Sequence, residues 1–332
     1  MTITLPRPPA AAIKYLTKSY STCSSETLQD SIKSAIQTKS YHQIPNLLTS
    51  HTNPNPDPFS FLSSYPPPLK NQIIDELLQS FIHIRPRSLP QLAYSHLLSH
   101  TLHSPSPFPL ALAILQRTLR SGCAPVKQTH LSLSSSWLYH RKHHSVMDIL
   151  SGMRSIGYKP DRGTCNYLLT SLCAVDQVEE SVRVLKSVGC EPDSESYGIV
   201  IGSMCELRRT GEAVEMVREM VRVETRTMLR QGTVVKLVAA LRANGEIKRA
   251  VEMVKLLDMA GILVGFEGYE VVVKGCLEKK EFVLAGKVVV EMVEKGFIPH
   301  IRVRQRVLEG LAKVGEWDFA CFVRQKLANV CS

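Results

Sequence analysis

No apolar run in the sequence reaches the roughly 18 to 20 uninterrupted residues that a membrane-spanning helix needs. The strongly apolar stretch GKVVVEMVEKG at 286–296 is broken by charge every few positions, so no membrane span is expected. Paired cysteines are lacking too. The chain has nine cysteines, an odd number, with no CxxC pair and no spacing to histidine that would suit zinc. Neither a disulfide framework nor a metal is expected. The cysteines read as reduced, mostly buried thiols that behave as small hydrophobes. Catalytic patterns are equally scarce: no Gly-rich phosphate loop, no Ser/His/Asp arrangement and no His-x-Glu with CxxC deaminase signature stands out. These absences argue against an enzyme and imply no cofactor.

Acidic residues are missing from the start of the chain, where the first is Glu26. Before it stand Arg7, Lys14 and Lys18, many Ser and Thr, and the amphipathic AAIKYLTKSYS. Residues 1–25 therefore read as a transit peptide, with an unstructured tail as the alternative. The mitochondrion is the expected destination, and the Arg-poor, Ser-rich character leaves the chloroplast open. The net charge of +10 is uneven: residues 1–150 hold 13 Lys/Arg against 6 Asp/Glu, and residues 151–332 hold 27 against 24. Such a balance suits nucleic-acid binding, since Lys and Arg displace counterions from phosphates, and it also suits organelle targeting.

With 332 residues and 44% hydrophobic content the chain has ample material for a core. Residues 26–70 read as a helical segment, ETLQDSIKSAIQTKSYHQIPNLLTS, followed by the linker HTNPNPDPFSFLSSYPPP. Six prolines in those 18 residues remove too many backbone donors for a helix or a central strand. Beyond them the chain is periodic. A Gly followed three residues later by Pro recurs at Gly122, Gly157, Gly189 and Gly296, with gaps of 35, 32 and 107 residues, the last close to three further periods. Each period carries two apolar stripes at helical spacing. Cys165, Leu168, Leu169 and Leu172 form one stripe, and Val178, Val182 and Leu185 form the next. A small residue holds a fixed place in the second stripe: Ser181, Ala213, Ala250, Ala285 and Ala320, spaced 32, 37, 35 and 35. Small side chains let helices approach closely. Cys173, Cys205 and Cys276 also fall at nearly equivalent places. An all-α solenoid of antiparallel helix pairs repeating about every 35 residues is expected over 71–332.

The stretch TCNYLLTSLCAVDQVEESVRVL followed by GCEPD resembles the pentatricopeptide repeat, as do MRSIGYKPD, EMVEKGFIPH and ANGEIKRAVEMV. The likeness is to P-type, short plant organellar members, and it covers most of the chain. The tetratricopeptide alternative lacks its Trp-x-x-Leu-Gly and Tyr pattern here. The resemblance implies a right-handed superhelix with units at about 91–126, 127–161, 162–193, 194–230, 231–265, 266–300 and 301–332.

It also implies that one unit reads one RNA base, through the fifth residue of the unit and its last. In unit 162–193 these are Asn166 and Asp193, a pair that by resemblance favours uracil. Ser95 with Val126 and Leu131 with Asp161 hold the same places in earlier units, and Gly198 with Arg230, Val235 with Gly265, and Glu270 with His300 in later ones. None of these others is a standard pair. Asp161 and Asp193 also stand where helix N-caps belong, so capping is the competing role for both. At the second position the family commonly places an apolar residue that sandwiches bases, whereas this chain has Gln128, Gly163, Glu195, Gly232, Glu267 and Arg302. Sequence-specific reading of a long RNA is therefore not expected. Backbone contact is the remaining route: Arg141 and Lys142 in YHRKHHS, and Arg302, Arg304 and Arg306 near the end, are candidate phosphate contacts. The expected partner is single-stranded organellar RNA, held by occupancy for processing, splicing or stability. The alternative is a protein-interaction scaffold in an organellar ribonucleoprotein complex.

Overall fold

The computed structural model describes residues 27–50, 57–187, 192–222 and 228–331. The expected leader at 1–25, and Gly189 of the recurring Gly-Pro punctuation, lie outside these residues. The described residues form seventeen α-helices and no strand. Before the periodic region come α1 (Leu28–Gln37), α2 (Ile44–Ser50) and α3 (Pro67–Phe81). Pairs follow: α4 (Gln91–Leu102) with α5 (Phe108–Arg120), α6 (Gln128–Arg141) with α7 (Val146–Ser155), and α8 (Arg162–Cys173) with α9 (Val178–Leu185). Next are α10 (Ser194–Glu206) with α11 (Thr210–Arg222), and α12 (Gln231–Ala243) with α13 (Ile247–Met259). The last are α14 (Phe266–Glu278) with α15 (Phe282–Glu294), and α16 (Ile301–Lys313) with α17 (Trp317–Cys331). First helices pack on first helices of the next pair in one row, from α2 on α4 through to α14 on α16. The result is an all-α helical-repeat solenoid with one continuous apolar core running from Ile32 to Leu327.

The recurring glycines end the second helices. Gly122, Gly157 and Gly296 take φ of +77°, +82° and +81°, a left-handed turn that a β-carbon disfavours. The next N–H then reaches back five residues, Cys123 to the Thr118 carbonyl, Tyr158 to Met153 and Phe297 to Met292, at 3.0–3.2 Å. First helices close in the same way at Gly245 and Gly315, and with Asp176, Arg208 and Lys280 held left-handed at φ of +57° to +60°. The recurring small residues lie in the buried contact between helices. Ser181, Ala213, Ala250 and Ala285 are fully buried, and Ala320 on the terminal helix is partly so.

The proline-rich segment departs from the expected linker. Over its described part it is packed: Phe59 and Leu62 are fully buried, Ser60–Ser64 makes a 3-10 turn, and Asp57 reaches the buried His100 ring at 2.6 Å. Prolines forbid a continuous helix there but not burial. Pro67 and Pro68 instead open α3, in the turn where a missing N–H costs nothing. Since α2 packs on α4 and α3 on α5, the stack begins upstream of residue 71.

The thiols are free at Cys123, Cys173, Cys205, Cys276 and Cys321, while Cys165 is disulfide-bonded, contrary to the reduced state expected for it. Burial raises the Cys205 thiol to about 11 and Cys276 to about 12. Both therefore stay protonated and inert as core residues.

Replacing the fully buried Ala285 by Leu forces extra volume into a packed helix contact. The variant should lose about 1–3 kcal/mol, read as a lower midpoint in urea unfolding followed by circular dichroism. An unchanged midpoint would contradict the close approach at this residue.

Candidate nucleic-acid interface

A surface built from first helices inherits its geometry from their start points. The second residue of each of six units, Gln128, Gly163, Glu195, Gly232, Glu267 and Arg302, is solvent-exposed. Three residues further on, one turn into the helix, the fifth residue turns toward the start of the next first helix. Sequence-distant fifth and last residues thereby meet in three units.

Asn166 and Asp193 form the best-developed of these meetings. The Asn166 amide donates to Asp193 Oδ1 at 3.4 Å, and its carbonyl oxygen accepts from the Ser196 hydroxyl at 2.6 Å. Asp193 is the N-cap of α10: its carboxylate accepts from the N–H groups of Glu195 at 3.0 Å and Ser196 at 2.9 Å. Burial alone would raise the Asp193 pKa, but the bonds from Ser196, Asn166 and Glu195 outweigh it and hold the carboxyl below the ordinary range. Capping and contact with the fifth residue thus coexist in one carboxylate. An amide has two N–H donors and two acceptor lone pairs. These contacts use one of each and leave one N–H and one lone pair on a side chain that is 8% exposed. Ser196 completes the arrangement and was not anticipated. Its signal was the capping pattern Asp-x-x-Ser, with the Ser hydroxyl also accepting from the Asp193 N–H at 3.1 Å.

The other pairs meet differently. Ser95 is buried and bonded to the Gln91 carbonyl at 2.7 Å, and it accepts from the N–H of Val126 at 3.0 Å, so its hydroxyl ties the unit's last residue by the backbone. Glu270 is buried, 3.4 Å from His300 and 2.8 Å from Lys274. Asp161 has only the apolar Leu131 as its fifth-place counterpart. It caps α8 through the Thr164 N–H at 2.9 Å and pairs with Arg120 at 2.8 Å. Burial raises its pKa, and Thr164 and Arg120 more than offset that, leaving it below the usual range.

A family model described as the PPR repeat matches residues 188–221. A curated pentatricopeptide repeat-containing protein of Arabidopsis thaliana is 54% identical over 312 residues, which is 92% of this chain and 91% of the relative. The chain belongs to the pentatricopeptide repeat family. Among solved structures, the pentatricopeptide repeat protein PPR10 from maize is 17% identical with a TM-score of 0.44, aligned over 91% of this chain and 44% of PPR10. The nuclear proteinaceous RNase P 2 of A. thaliana is 14% identical with a TM-score of 0.39, over 55% of this chain and 42% of that one. This chain therefore spans less than half the length of either solved protein.

Within the pentatricopeptide stack the candidate phosphate contacts separate into two kinds. Arg141 is largely buried and donates to the Glu180 carboxylate and to the His144 carbonyl. Glu180, 5% exposed, also accepts from the Trp137 indole at 3.1 Å and from Arg183 at 2.9 Å. Burial pushes the Glu180 pKa up, and Arg141, Trp137 and Arg183 bring it below the ordinary value. Arg141 is therefore a structural cation that joins α6 to α9. Nothing local in the sequence tied Glu180 to Arg141 and Trp137, which lie 39 and 43 residues away. Lys142, Arg302 and Arg306 are exposed, and Arg304 is half-buried.

Two outcomes follow from this geometry. Arg141→Ala leaves Glu180 short of a charged partner and should cost about 2–3 kcal/mol of stability, whereas Lys142→Ala should be neutral in the same urea titration. For Asp193→Ala, about 1 kcal/mol should be lost at pH 7, the worth of an N-cap. Because the folded pKa is depressed, that difference is fully present above the unfolded value of about 3.9 and fades as pH falls through the folded pKa. Thermal melts of both proteins between pH 7 and pH 2 would show the gap close, and a gap that widens in acid would refute the assignment.

Proposed function

We propose that this pentatricopeptide repeat protein binds single-stranded RNA along the exposed row of its first helices. It acts in organellar RNA processing, splicing or stability by occupying its target, not by catalysis. The observation that carries this reading is the Asn166–Asp193 contact, 3.4 Å across a unit boundary, with an N–H and a lone pair left for a base edge. Uracil is the base that this pair suits. Other units present a backbone-bonded hydroxyl, a carboxylate, glycine or aliphatic side chains at the fifth place, so one well-read base sits among contacts of low selectivity. The acid-poor leader composition supports a mitochondrial location, with the chloroplast as alternative.

A protein scaffold is the second reading, and one feature favours it. From α10 to α14 the charges near the first helices pair with each other: Glu195 with Arg230 at 3.2 Å, Glu206 with Lys236 at 3.2 Å, and Glu278 with Arg242 at 2.9 Å. Paired charges offer little net attraction to phosphate.

Fluorescence anisotropy with labelled single-stranded RNA separates the two. The RNA reading expects binding at low salt that weakens as KCl rises, and a preference for uracil-containing oligonucleotides that Asn166→Ala removes. No binding at low salt, together with a stable protein partner that resists nuclease, would replace it by the scaffold.

A further inference from the structure

From position 77 to position 147 the chain contains no acidic residue. Those 71 positions carry seven Lys/Arg and eight of the eleven histidines. They span α4, α5 and α6, upstream of the Asn166–Asp193 pair. Some of this charge is matched from outside the block: Arg117 by Asp75 at 3.1 Å, Arg120 by Asp161 at 2.8 Å, Arg141 by Glu180, and His100 by Asp57. Of the remainder, Arg85 and Arg87 lie in the connection from α3 to α4 and Lys127 at the start of α6, while one group stands together at an edge. Lys142, His143 and His144 are exposed in the turn from α6 to α7.

Beside that turn lies a groove. One wall is His103 and Ser104 of the α4–α5 turn, and the other is Ser132, Ser135 and Tyr139 of α6. Tyr139 is 62% exposed, an apolar ring left in water at the end of a well-packed helix. The His143 ring stands edge-on to it with centroids 6.5 Å apart, and the His140 ring at 5.2 Å. Cations at a helix C-terminus are favoured by the helix dipole, which accounts for part of this charge. The dipole does not account for an exposed ring over a hydroxyl-lined groove. Two carboxylates close in sequence or contact are engaged elsewhere: Glu180 is buried against Arg141, and Asp148 folds back onto the Ser145 N–H at 3.0 Å.

We propose that this acid-free edge is a nucleotide site for single-stranded RNA, with a base stacked on Tyr139, a phosphate between Lys142 and His143, and hydroxyls of the serine wall toward the ribose. The site rests on the RNA-binding reading above but uses none of the fifth and last residues. Tyr139 lies eleven residues beyond Gln128, or roughly 17 Å along the helix at 1.5 Å per residue. It therefore engages the strand at a place separate from the row of second residues. Stacking is indifferent to base identity, so the site supplies affinity where the base-reading positions of α4 and α6 supply none.

The test uses the full chain, a fluorescein-labelled random-sequence RNA of twenty nucleotides, and anisotropy as a function of KCl. Tyr139→Ala should weaken binding about tenfold, whereas Tyr139→Phe keeps the stacking face and should stay within about twofold of the unaltered chain. Lys142→Ala should lower the slope of log affinity against log salt by about 0.7, the value for one phosphate on a single strand. RNA carrying 4-thiouridine should crosslink within residues 128–144. Thermal melts check that the variants are folded, as expected for exposed side chains. Unchanged affinity and slope in Tyr139→Ala and Lys142→Ala, with crosslinks confined to α8–α16, would overturn this site and leave the RNA reading standing. No RNA binding by the unaltered chain at low salt would overturn that reading and the site with it.

Discussion

The buried small side chain on each second helix is the contact on which the rest of the stack depends. A helix pair of about 35 residues has two apolar faces and cannot cover both by itself, so each pair is stable only against its neighbours. With Ser181, Ala213, Ala250 and Ala285 fully buried, helices come close enough for the apolar stripes to merge into one core. That spacing also sets where the next first helix begins. The last residue of one unit consequently falls beside the fifth residue of the same unit, about thirty positions earlier in sequence. The candidate base-reading geometry is a by-product of close helix packing, with no dedicated loop to build it.

One carboxylate then has to serve two ends. Asp193 satisfies orphan N–H groups at the start of α10 and touches the Asn166 amide, and these demands are compatible because a carboxylate has about four acceptor directions. At Asp161 the same cap is present, but Leu131 at the fifth place offers no polar group, and the spare oxygen goes to Arg120 instead. The cap is therefore the constant in these two units and the base contact the variable. A residue can hold the reading position for structural reasons alone, as Ser95 does by tying the Val126 N–H.

The periodic part of the fold was legible because its signals are local. Glycines that need positive φ, prolines that follow them and apolar stripes at helical spacing each act within a few residues. The proline-rich stretch misled for the same reason: six prolines report correctly on backbone donors and say nothing about Phe59 and Leu62, which are fully buried. Arg141 misled through a partner 39 residues distant, since a charge run reads as solvated until the buried Glu180 is in place. Asn166 and Asp193 were legible as a pair by resemblance. Ser196, which orders the amide between them, became visible only once the cap had a geometry.

Charge divides the solenoid into two regimes with different consequences for a polyanion. From α10 onward, carboxylates and cations alternate between neighbouring units and pair at about 3 Å, as in Glu206 with Lys236 and Glu278 with Arg242. Exposed pairs of this kind add little stability each, about 0–1 kcal/mol, and cancel most of the long-range field. The block from 77 to 147 has no carboxylate of its own, so its remaining cations are not cancelled in place. At an ionic strength near 0.15 M fields reach only about 8 Å, which makes the local balance decisive and the total of +10 nearly irrelevant. A strand laid along this protein would feel attraction at the α4–α6 edge and near-neutrality from α10 to α14, so the Asn166–Asp193 pair lies just past the place where attraction ends. Affinity and base choice would then reside in adjacent but different units, and loss of one need not abolish the other.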